Sequence, residues 1–474
     1  MIKKISFLLL SSLVSIGFLS SCSKSNNENT FVVHPNKKSE KLDSLFQQIH
    51  KEEQFNGNVL IAMNDTIILS QNYGYSDLDK ASKLTTRSTF RLASITKQFT
   101  AIAILILQKE NQLSIQDPIS KHIPELSNYS EITIENLISH TSGVYDYADL
   151  AKEYWDKNRV MTNKSVIELF EQHQPKSYFK PNEDWAYSNT GYIFLATIVE
   201  RVTGQKFEKY IHEKVLKPFD LKHTFFYESS KHESYPFMTN SYVHIDSLNR
   251  LMNVKELSKN HRYNYLDNTY GAGGLASNIV DLYHWHQVLN GDELLSAKDK
   301  NLMYKNHLLN DGSYSSYGYG TFIVESRVTG KRSSHGGDWA GYDNMFDRHI
   351  ENNTLIVLLQ NVKSPNSFMP MNSIYQILYN SEDRVSQNLE EFAGRYSIDK
   401  TPDDIKEFLI KNDKLVLNVN DTYFLELVPI GQDNFLVKDF NPEVTVQFLR
   451  NKEGMVSKQV VYQYGKEHHA TKLH

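Results

Sequence analysis

Ser94 and Lys97, a serine and a lysine three residues apart, are the pair in this chain whose types and spacing best suit catalysis. Residues three apart share one face of a helix, so we expect the amine to reach the hydroxyl. An amine that accepts the hydroxyl proton makes the serine a nucleophile. A free lysine has a pKa near ~10.4, so this role requires burial or a neighbouring cation that lowers it. The surrounding segment 91–108, RLASITKQFTAIAILILQ, predicts an apolar helix that buries the pair.

The spacing alone is weak evidence, because solvent-exposed helix faces often place a serine and a lysine three residues apart. Further along the chain, Tyr187 and Asn189 stand in the tripeptide YSN, and residues 335–337 read HGG. A phenol can act as a second acid or base, and an amide can bind a carbonyl group. Each also has an ordinary structural interpretation, since Tyr187 could be a core aromatic and Asn189 a helix N-cap.

Five motifs occur in one order along the chain: S-x-x-K, L-I-S-H-T-S-G, Y-x-N, G-G-L-A-S and H-x-G. With them, residues 40–380 resemble the serine beta-lactamase-like superfamily, specifically the branch of class C beta-lactamases, DD-peptidases and esterases. The resemblance implies that Ser94 is the acylated nucleophile and that Lys97 accepts its proton or balances the charge of the site. It implies that Tyr187 is the second acid or base, because a phenol between cationic groups ionises more easily.

The same resemblance implies how substrate binds. Asn189 is expected to donate to the substrate carbonyl, and the backbone N–H groups of Ser94 and Asp338 to form an oxyanion hole. His335 departs from the pattern, because beta-lactamases and DD-peptidases usually place the lysine of K-T-G there, and a histidine lacks its permanent charge. Within the superfamily, H-x-G is typical of esterase and aminopeptidase-like members. Gly337 is expected to let an extended substrate lie against the strand.

The sequence therefore predicts a serine hydrolase that forms an acyl-enzyme on ester or amide substrates, peptides of D-amino acids included. Two alternatives stay open: a penicillin-binding DD-carboxypeptidase or beta-lactamase, and a catalytically silent surface-binding lipoprotein. The expected partner is a small-molecule or peptide substrate, and no cofactor is expected. No metal site is predicted, because no H-E-x-x-H motif occurs; His212-Glu213, for example, lacks a second histidine at position 216.

The amino-terminal residues resemble a bacterial lipoprotein signal. Lys3 and Lys4 precede an apolar stretch, and LSSC ends on Cys22, the only cysteine in the chain. We expect residues 1–21 to be a signal peptide and an acylated Cys22 to hold the protein on a lipid bilayer through the tether 22–38. The predicted location is extracytoplasmic, in the periplasm or cell envelope, on the outer membrane if there is one. The alternative is an ordinary secretory signal with an incidental cysteine.

Composition limits the other partners. The formal net charge is −5 and no basic run occurs, so nucleic acid is not an expected partner. A lone cysteine excludes an intramolecular disulfide, so the fold depends on its core, for which 40% hydrophobic residues are ample. The sequence does not determine the oligomeric state.

The predicted fold class is α/β, of the α+β kind. Hydrophobic patterning indicates an antiparallel sheet built from both ends of a domain spanning 39–380, flanked by helices, with a mostly helical insertion. A separate small all-β unit, a barrel or sandwich, is predicted for 386–474. The individual predictions are strands at 58–63, 66–75, 317–325, 332–337, 342–350 and 353–361, and helices at 39–54, 132–144, 191–216 and 373–380. A turn at Asn64-Asp65 is predicted between the first two strands, and Gly204 is predicted as a C-cap break in the helix over 191–216.

Overall fold

The structure, a computed structural model, describes residues 32–326, 328–379, 388–431, 433–438, 444–463 and 466–473. The predicted signal peptide, Cys22 and most of the predicted tether lie outside the described residues. None of the helices in those ranges combines the length and the apolar character needed to cross a bilayer.

The strands that precede residue 370 belong to one main sheet and several small ones. They are β1 (Gly57–Met63), β2 (Thr66–Tyr73), β3 (Tyr75–Asp77), β4 (Ser82–Lys83), β5 (Phe90–Arg91), β6 (Phe225–Phe226), β7 (Tyr242–Ile245), β8 (Arg250–Asn253), β9 (Leu275–Ser277), β10 (Phe322–Ser326), β11 (Gly330–Trp339), β12 (Tyr342–His349), β13 (Thr354–Gln360) and β14 (Val362–Lys363).

The helices lie on both faces of the main sheet and in the insertion. They are α1 (Lys37–Lys51), α2 (Lys97–Lys109), α3 (Ile119–His122), α4 (Ile134–Ile138), α5 (Tyr147–Tyr154), α6 (Asn163–His173), α7 (Asn189–Thr203), α8 (Phe207–Ile211), α9 (Arg262–Tyr265), α10 (Ile279–Asn290), α11 (Ala297–Met303) and α12 (Met371–Tyr379).

The main sheet has the order β10–β11–β12–β13–β1–β2, and its adjacent strands are antiparallel. Asn64 and Asp65 close the β1–β2 hairpin with φ of 48° and 60°, values that a two-residue hairpin turn requires and that these residue types tolerate. Because β13 pairs with β1, the sheet joins strands from the two ends of the domain. The predicted fold class is therefore confirmed.

The register of β11 and β12 assigns their side chains to two faces. Ser334 pairs with Asp347, and His335 pairs with Phe346, so alternate residues point to opposite sides. Met345 packs in an apolar cluster with α1 and α12 on one face. The other face meets the turn before α2, where Gly337 lies against the carbonyl of Leu92. Helix α2 is buried along residues 97–107, as its apolar sequence predicts.

Some predicted elements differ from those observed. Residues 317–321 do not extend β10, because Gly320 turns with φ of 76° where a side chain would strike the carbonyl oxygen of Lys97. The helix predicted over 132–144 ends at Ile138, since His140 has a φ of 61°. The helix over 191–216, by contrast, breaks at Gly204 as predicted, and this residue has a φ of 67° as a left-handed C-cap.

The carboxyl-terminal strands form a closed barrel in chain order. They are β15 (Gly394–Ile398), β16 (Thr401–Lys411), β17 (Lys414–Asn418), β18 (Phe424–Gly431), β19 (Asn434–Val437), β20 (Thr445–Arg450), β21 (Val456–Gln463) and β22 (Lys466–Lys472). Phe392, Phe408 and Phe435 contact one another or Phe448 inside it at ring-centroid distances of 4.9–5.5 Å, so side chains fill its interior. Of the two predicted forms, the barrel is the observed one.

Candidate active site

Ser94 lies in a short 3₁₀ turn, Ala93–Thr96, that leads directly into α2. The sequence placed it in the first turn of the helix itself, whereas the α-helix begins at Lys97. Ala93 has a φ of 47°, a left-handed conformation that is costly for a residue with a side chain. Ser94 is half-buried and Lys97 is fully buried, so the hydroxyl lies between the amine and the open side of the site.

The amine of Lys97 has three hydrogen-bond partners. They are the hydroxyl of Ser94 at 3.1 Å, Oδ1 of Asn189 at 2.8 Å and the carbonyl oxygen of Ala272 at 2.9 Å. The last two atoms can only accept hydrogen bonds, whereas a hydroxyl can also donate. An ammonium would donate to all three oxygen atoms, whereas a neutral amine has two N–H bonds for the two acceptors and a lone pair for a donating hydroxyl. The positions of the atoms fit both protonation states, and in the neutral one Lys97 can accept the proton of Ser94.

Burial favours the neutral amine. It lowers the pKa of Lys97 well below the ordinary lysine value, and the nearby carboxyl of Asp146 opposes this only in part. Among the residues that the structure describes, no carboxylate forms an ion pair with Lys97. The requirement that the sequence placed on this lysine, a lowered pKa, is thus met by desolvation.

Tyr187 lies beside the pair. The centre of its ring is 4.7 Å from the amine of Lys97, and its buried hydroxyl has no hydrogen-bond partner within the described ranges. Burial raises the pKa of Tyr187, and the proximity of the Ser94 hydroxyl offsets only part of that rise. The resemblance implies that neighbouring cations ease this ionisation, whereas burial acts in the opposite direction in this state and is the larger effect. Tyr187 is therefore a proton donor at rest.

His140 holds the segment that carries Tyr187. Its Nδ1 accepts a hydrogen bond from the backbone N–H of Ser188 at 3.0 Å, and its ring lies 4.4 Å from that of Tyr187. Ser188 is the N-cap of α7, so Asn189 is the first residue of that helix and not its cap. The helix start thereby aims Asn189 at Lys97.

His335 is buried, and both of its ring nitrogens are occupied. Nδ1 donates to the carbonyl oxygen of Gly336 at 2.6 Å, so Nε2 accepts from the hydroxyl of Tyr317 at 3.0 Å. Burial and the neighbouring amine of Lys97 lower the pKa of His335 to about 3. His335 is therefore neutral, and it lies in the middle of β11 rather than at the predicted strand end.

Gly337 and Asp338 lie where β11 meets the nucleophile turn. A Cβ atom on Gly337 would stand 2.1 Å from the carbonyl oxygen of Leu92, so only glycine permits this approach. The last residue of β11 that pairs with β10 is Ser334, which leaves the edge from His335 onward without a β10 partner. The side chain of Asp338 turns outward to an ion pair with Lys363.

A cavity of about 80 Å³ opens beside Ser94. Its lining includes Asn189, Asp338 and Trp339, together with two residues that the sequence did not single out, Arg91 and Asp267. Arg91 stands three residues before the nucleophile in an otherwise apolar segment, which is a signal that could have been used. Asp267 gives no local signal, because its partner in an ion pair is Arg91, 176 positions away.

The carbonyl group of Ala272 is another contact that the sequence did not reveal, since a backbone acceptor has no distinctive residue type. Gly271, with a φ of 103°, brings this loop against α2, where its own carbonyl accepts from the hydroxyl of Thr100 at 2.7 Å. Within the described ranges, no group of three or more His, Cys, Asp or Glu side chains is arranged to hold a metal ion.

The family model described as Beta-lactamase matches residues 42–381. The chain belongs to the Beta-lactamase family. As a member of it, the chain is a serine hydrolase. The family match covers the sheet, the helical insertion and every residue of the site described above.

Similar proteins extend the likeness beyond the family model. Penicillin-binding protein 4* of Bacillus subtilis strain 168 is 27% identical over 453 residues, which span 91% of this chain and 98% of that protein. The octameric penicillin-binding protein homologue from Pyrococcus abyssi shares the fold with a TM-score of 0.61 at 22% identity, covering 91% of this chain and 99% of that one. The D-amino acid amidase from Ochrobactrum anthropi SV3 shares the fold with a TM-score of 0.58 at 19% identity, and the match covers 71% of this chain and 98% of that one.

Proposed function

We propose that Ser94 attacks an ester or amide carbonyl and is acylated, with Lys97 as the base. The observation that carries this proposal is the set of partners around the Lys97 amine, two obligate acceptors and the nucleophile hydroxyl. As the bond between Oγ and the carbonyl carbon forms, the hydroxyl proton passes to the lone pair of the amine. The folded protein already keeps Lys97 away from water, so no free energy has to be spent on desolvating this base during the reaction.

The leaving group needs a proton when its bond to the carbonyl carbon breaks. We assign this step to Tyr187, whose protonated and otherwise unpartnered hydroxyl lies beside Ser94 and Lys97. The proton now on Lys97 can return to the Tyr187 oxygen, which restores both groups. A water molecule then attacks the acyl-enzyme by the same route in reverse, and Ser94 is regenerated.

We assign the backbone N–H groups of Ser94 and Asp338 to the stabilisation of the negative charge that develops on the substrate carbonyl oxygen. The close approach of β11 at Gly337 supports this assignment, because it brings the strand against the nucleophile turn. Asn189 lines the cavity and is assigned to the substrate carbonyl. We assign His335 to the support of Tyr317 and β11, since neither of its ring nitrogens is available to substrate.

The proposed substrates are esters or small amides, D-amino-acid derivatives included. The neutral His335 supports this class, because the site lacks the cation that attracts a substrate carboxylate in K-T-G enzymes. The second candidate, a penicillin-binding DD-carboxypeptidase or beta-lactamase, is favoured by the likeness to penicillin-binding protein 4* of B. subtilis. Fluorescent penicillin separates the two, since a long-lived adduct on Ser94 or rapid hydrolysis of the penicillin supports the second candidate and no reaction supports the first.

Labelling of the nucleophile tests the proposal directly. A fluorophosphonate probe should modify Ser94 in the purified protein, with the modified peptide identified by mass spectrometry. Ser94→Ala should abolish labelling, while the matched control Ser114→Ala, an exposed loop serine, should leave it unchanged. Undiminished labelling of Ser94→Ala, or no labelling of the wild type, would overturn the assignment.

We also propose that the protein is extracytoplasmic and anchored by acylated Cys22, with residues 22–38 as a tether. The lipobox-like LSSC sequence supports this. Mass spectrometry of the mature amino terminus should find a lipid-modified Cys22, and Cys22→Ala should release the protein from the membrane fraction. A mature protein that begins elsewhere and fractionates without membrane would contradict the anchor.

A further inference from the structure

The Arg91–Asp267 ion pair beside the nucleophile leaves one carboxylate oxygen unused. Oδ1 of Asp267 accepts from Arg91 and, at 3.3 Å, from Nε1 of Trp339. Oδ2 accepts no hydrogen bond from any residue in the described part of the chain. The Asp267 side chain is only 2% exposed, yet it lines the same cavity as Ser94. Oδ2 is not sealed from solvent in the way that the Tyr187 hydroxyl is, so a ligand in the cavity can donate to it.

The position of this oxygen limits what the donor can be. A sphere of about 80 Å³, the volume of the cavity, is about 5 Å across. Two groups that meet Ser94 and Asp267 at the same time must therefore lie only a few bonds apart. The carbonyl carbon and the α-nitrogen of an aminoacyl group, which are joined through the α-carbon, satisfy this limit.

The hydrogen-bonding chemistry of the cavity favours a cationic donor. Arg91 and Asp267 form an ion pair in its lining, and the Asp338 side chain turns outward to pair with Lys363. These pairs offset their own charges, so the ligand is selected by what Oδ2 of Asp267 can bind. A carboxylate oxygen only accepts hydrogen bonds, and a substrate ammonium group supplies N–H donors that carry a positive charge.

We propose that Oδ2 of Asp267 binds the α-ammonium group of the substrate, so that the enzyme prefers aminoacyl esters and amides with a free amino terminus. Arg91 and Trp339 are positioning residues, because they hold the carboxylate through its other oxygen. The inference rests on the proposed function and names the substrate class of that same site. An ammonium group in the cavity would also keep Lys97 neutral, and hence basic, by repulsion.

The test measures how fast the purified full-length protein hydrolyses a set of matched p-nitroanilides. D- and L-alanine p-nitroanilide carry the ammonium, propionyl p-nitroanilide lacks it, and N-acetylalanine p-nitroanilide replaces it with a neutral amide. For wild type we expect kcat/KM to be at least ten-fold higher for the preferred alanine enantiomer than for the propionyl and acetylated compounds. A ratio near one or below would overturn the inference without any variant.

The variant Asp267→Asn keeps an acceptor for Arg91 and turns the free oxygen into an N–H donor. We expect it to lower the alanyl-to-propionyl ratio of kcat/KM by ten-fold or more, mainly through KM for the alanyl compound. The matched control is Asp347→Asn, which alters another buried aspartate, paired with Arg332, whose side chain does not line the cavity. It should leave the ratio unchanged. An unchanged ratio in folded Asp267→Asn would overturn the inference.

The two proposals fail separately. Fluorophosphonate labelling of wild-type Ser94 together with equal turnover of alanyl and propionyl compounds would reject the ammonium site and keep the serine hydrolase. Absence of labelling would reject the proposed function and the ammonium site with it. If Asp267→Asn does not fold, the wild-type panel decides alone.

Discussion

The two faces of the main sheet bury charged groups in opposite ways. On the face covered by α1 and α12, the carboxylate of Asp347 accepts from Tyr375 at 2.6 Å and His349 at 3.1 Å and pairs with Arg332 at 3.4 Å. On the other face, Lys97 is just as buried, but its partners are a hydroxyl and two carbonyl oxygens.

The difference decides which protonation state each group keeps. Burial by itself raises the pKa of Asp347, but Arg332 and His349 outweigh it and hold the carboxyl ionised. Burial lowers the pKa of Lys97, and the nearby carboxyl of Asp146 restores it only in part. A compensated ion stabilises the fold, whereas an uncompensated amine becomes neutral and therefore reactive. The same burial thus supports structure on one face and chemistry on the other.

The largest effect is expected from Lys97→Met, which keeps the bulk of the side chain and removes the base. We expect kcat/KM to fall by about 10³-fold, within the range for lost acid–base catalysis. Steady-state kinetics on the substrate that wild type turns over measures this. Activity within a few-fold of wild type would show that the base lies elsewhere and would remove the contrast between the faces.

The corresponding change on the α12 face is Asp347→Asn, which removes the buried negative charge beside Arg332 and His349. We expect the free energy of unfolding to fall by about 3 kcal/mol, because removing one member of a buried ionic cluster is strongly destabilising. Denaturant titration measures the loss. The folded enzyme should keep its kcat/KM, and a parallel loss of activity would mean that this face also serves the chemistry.

Tyr187→Phe should separate activity from stability at a single atom. We expect kcat to fall by about 10²-fold, since the proton donor for the leaving group is lost. We also expect the free energy of unfolding to rise by up to about 1 kcal/mol, because the buried hydroxyl makes no hydrogen bond at rest. Kinetics and denaturant unfolding of one preparation test both. A destabilised variant would indicate that the hydroxyl has a structural partner.

The smallest effects are in the pH profiles. The pKa of Lys97 in the folded protein lies below its unfolded value of about 10.4. At a pH between these two pKa values the unfolded chain binds more protons than the folded one, so the free energy of unfolding rises with pH over that range. The pKa of Asp347 is also lowered in the folded protein. The stability that this carboxylate contributes is therefore present above the ordinary pKa range of a carboxyl group and is lost as the pH falls below that range. Accordingly, kcat/KM should rise as Lys97 deprotonates, and Lys97→Met should flatten the alkaline stability rise. A profile for kcat/KM that falls over that range would contradict a neutral base.

Local patterns predicted the elements well where one residue sets the backbone. Asn64 and Asp65 marked the hairpin, and Gly204 marked a helix end. The pattern failed at 317–321, where alternating tyrosine and glycine resembled a strand. Gly320 is there because of its approach to the Lys97 carbonyl, a contact that alternation does not encode.

By itself, the sequence determined the order of the motifs, the sheet built from both ends of the domain and the barrel that follows it. Residue type and spacing suffice for these, because strand and helix periods are local properties. The tertiary structure alone decided the protonation states. Lys97 meets Asn189 and Ala272 across 92 and 175 positions, and Arg91 meets Asp267 across 176. Desolvation and hydrogen-bond partners belong to the folded environment, so only folding could make Lys97 a base and leave one oxygen of Asp267 facing the cavity.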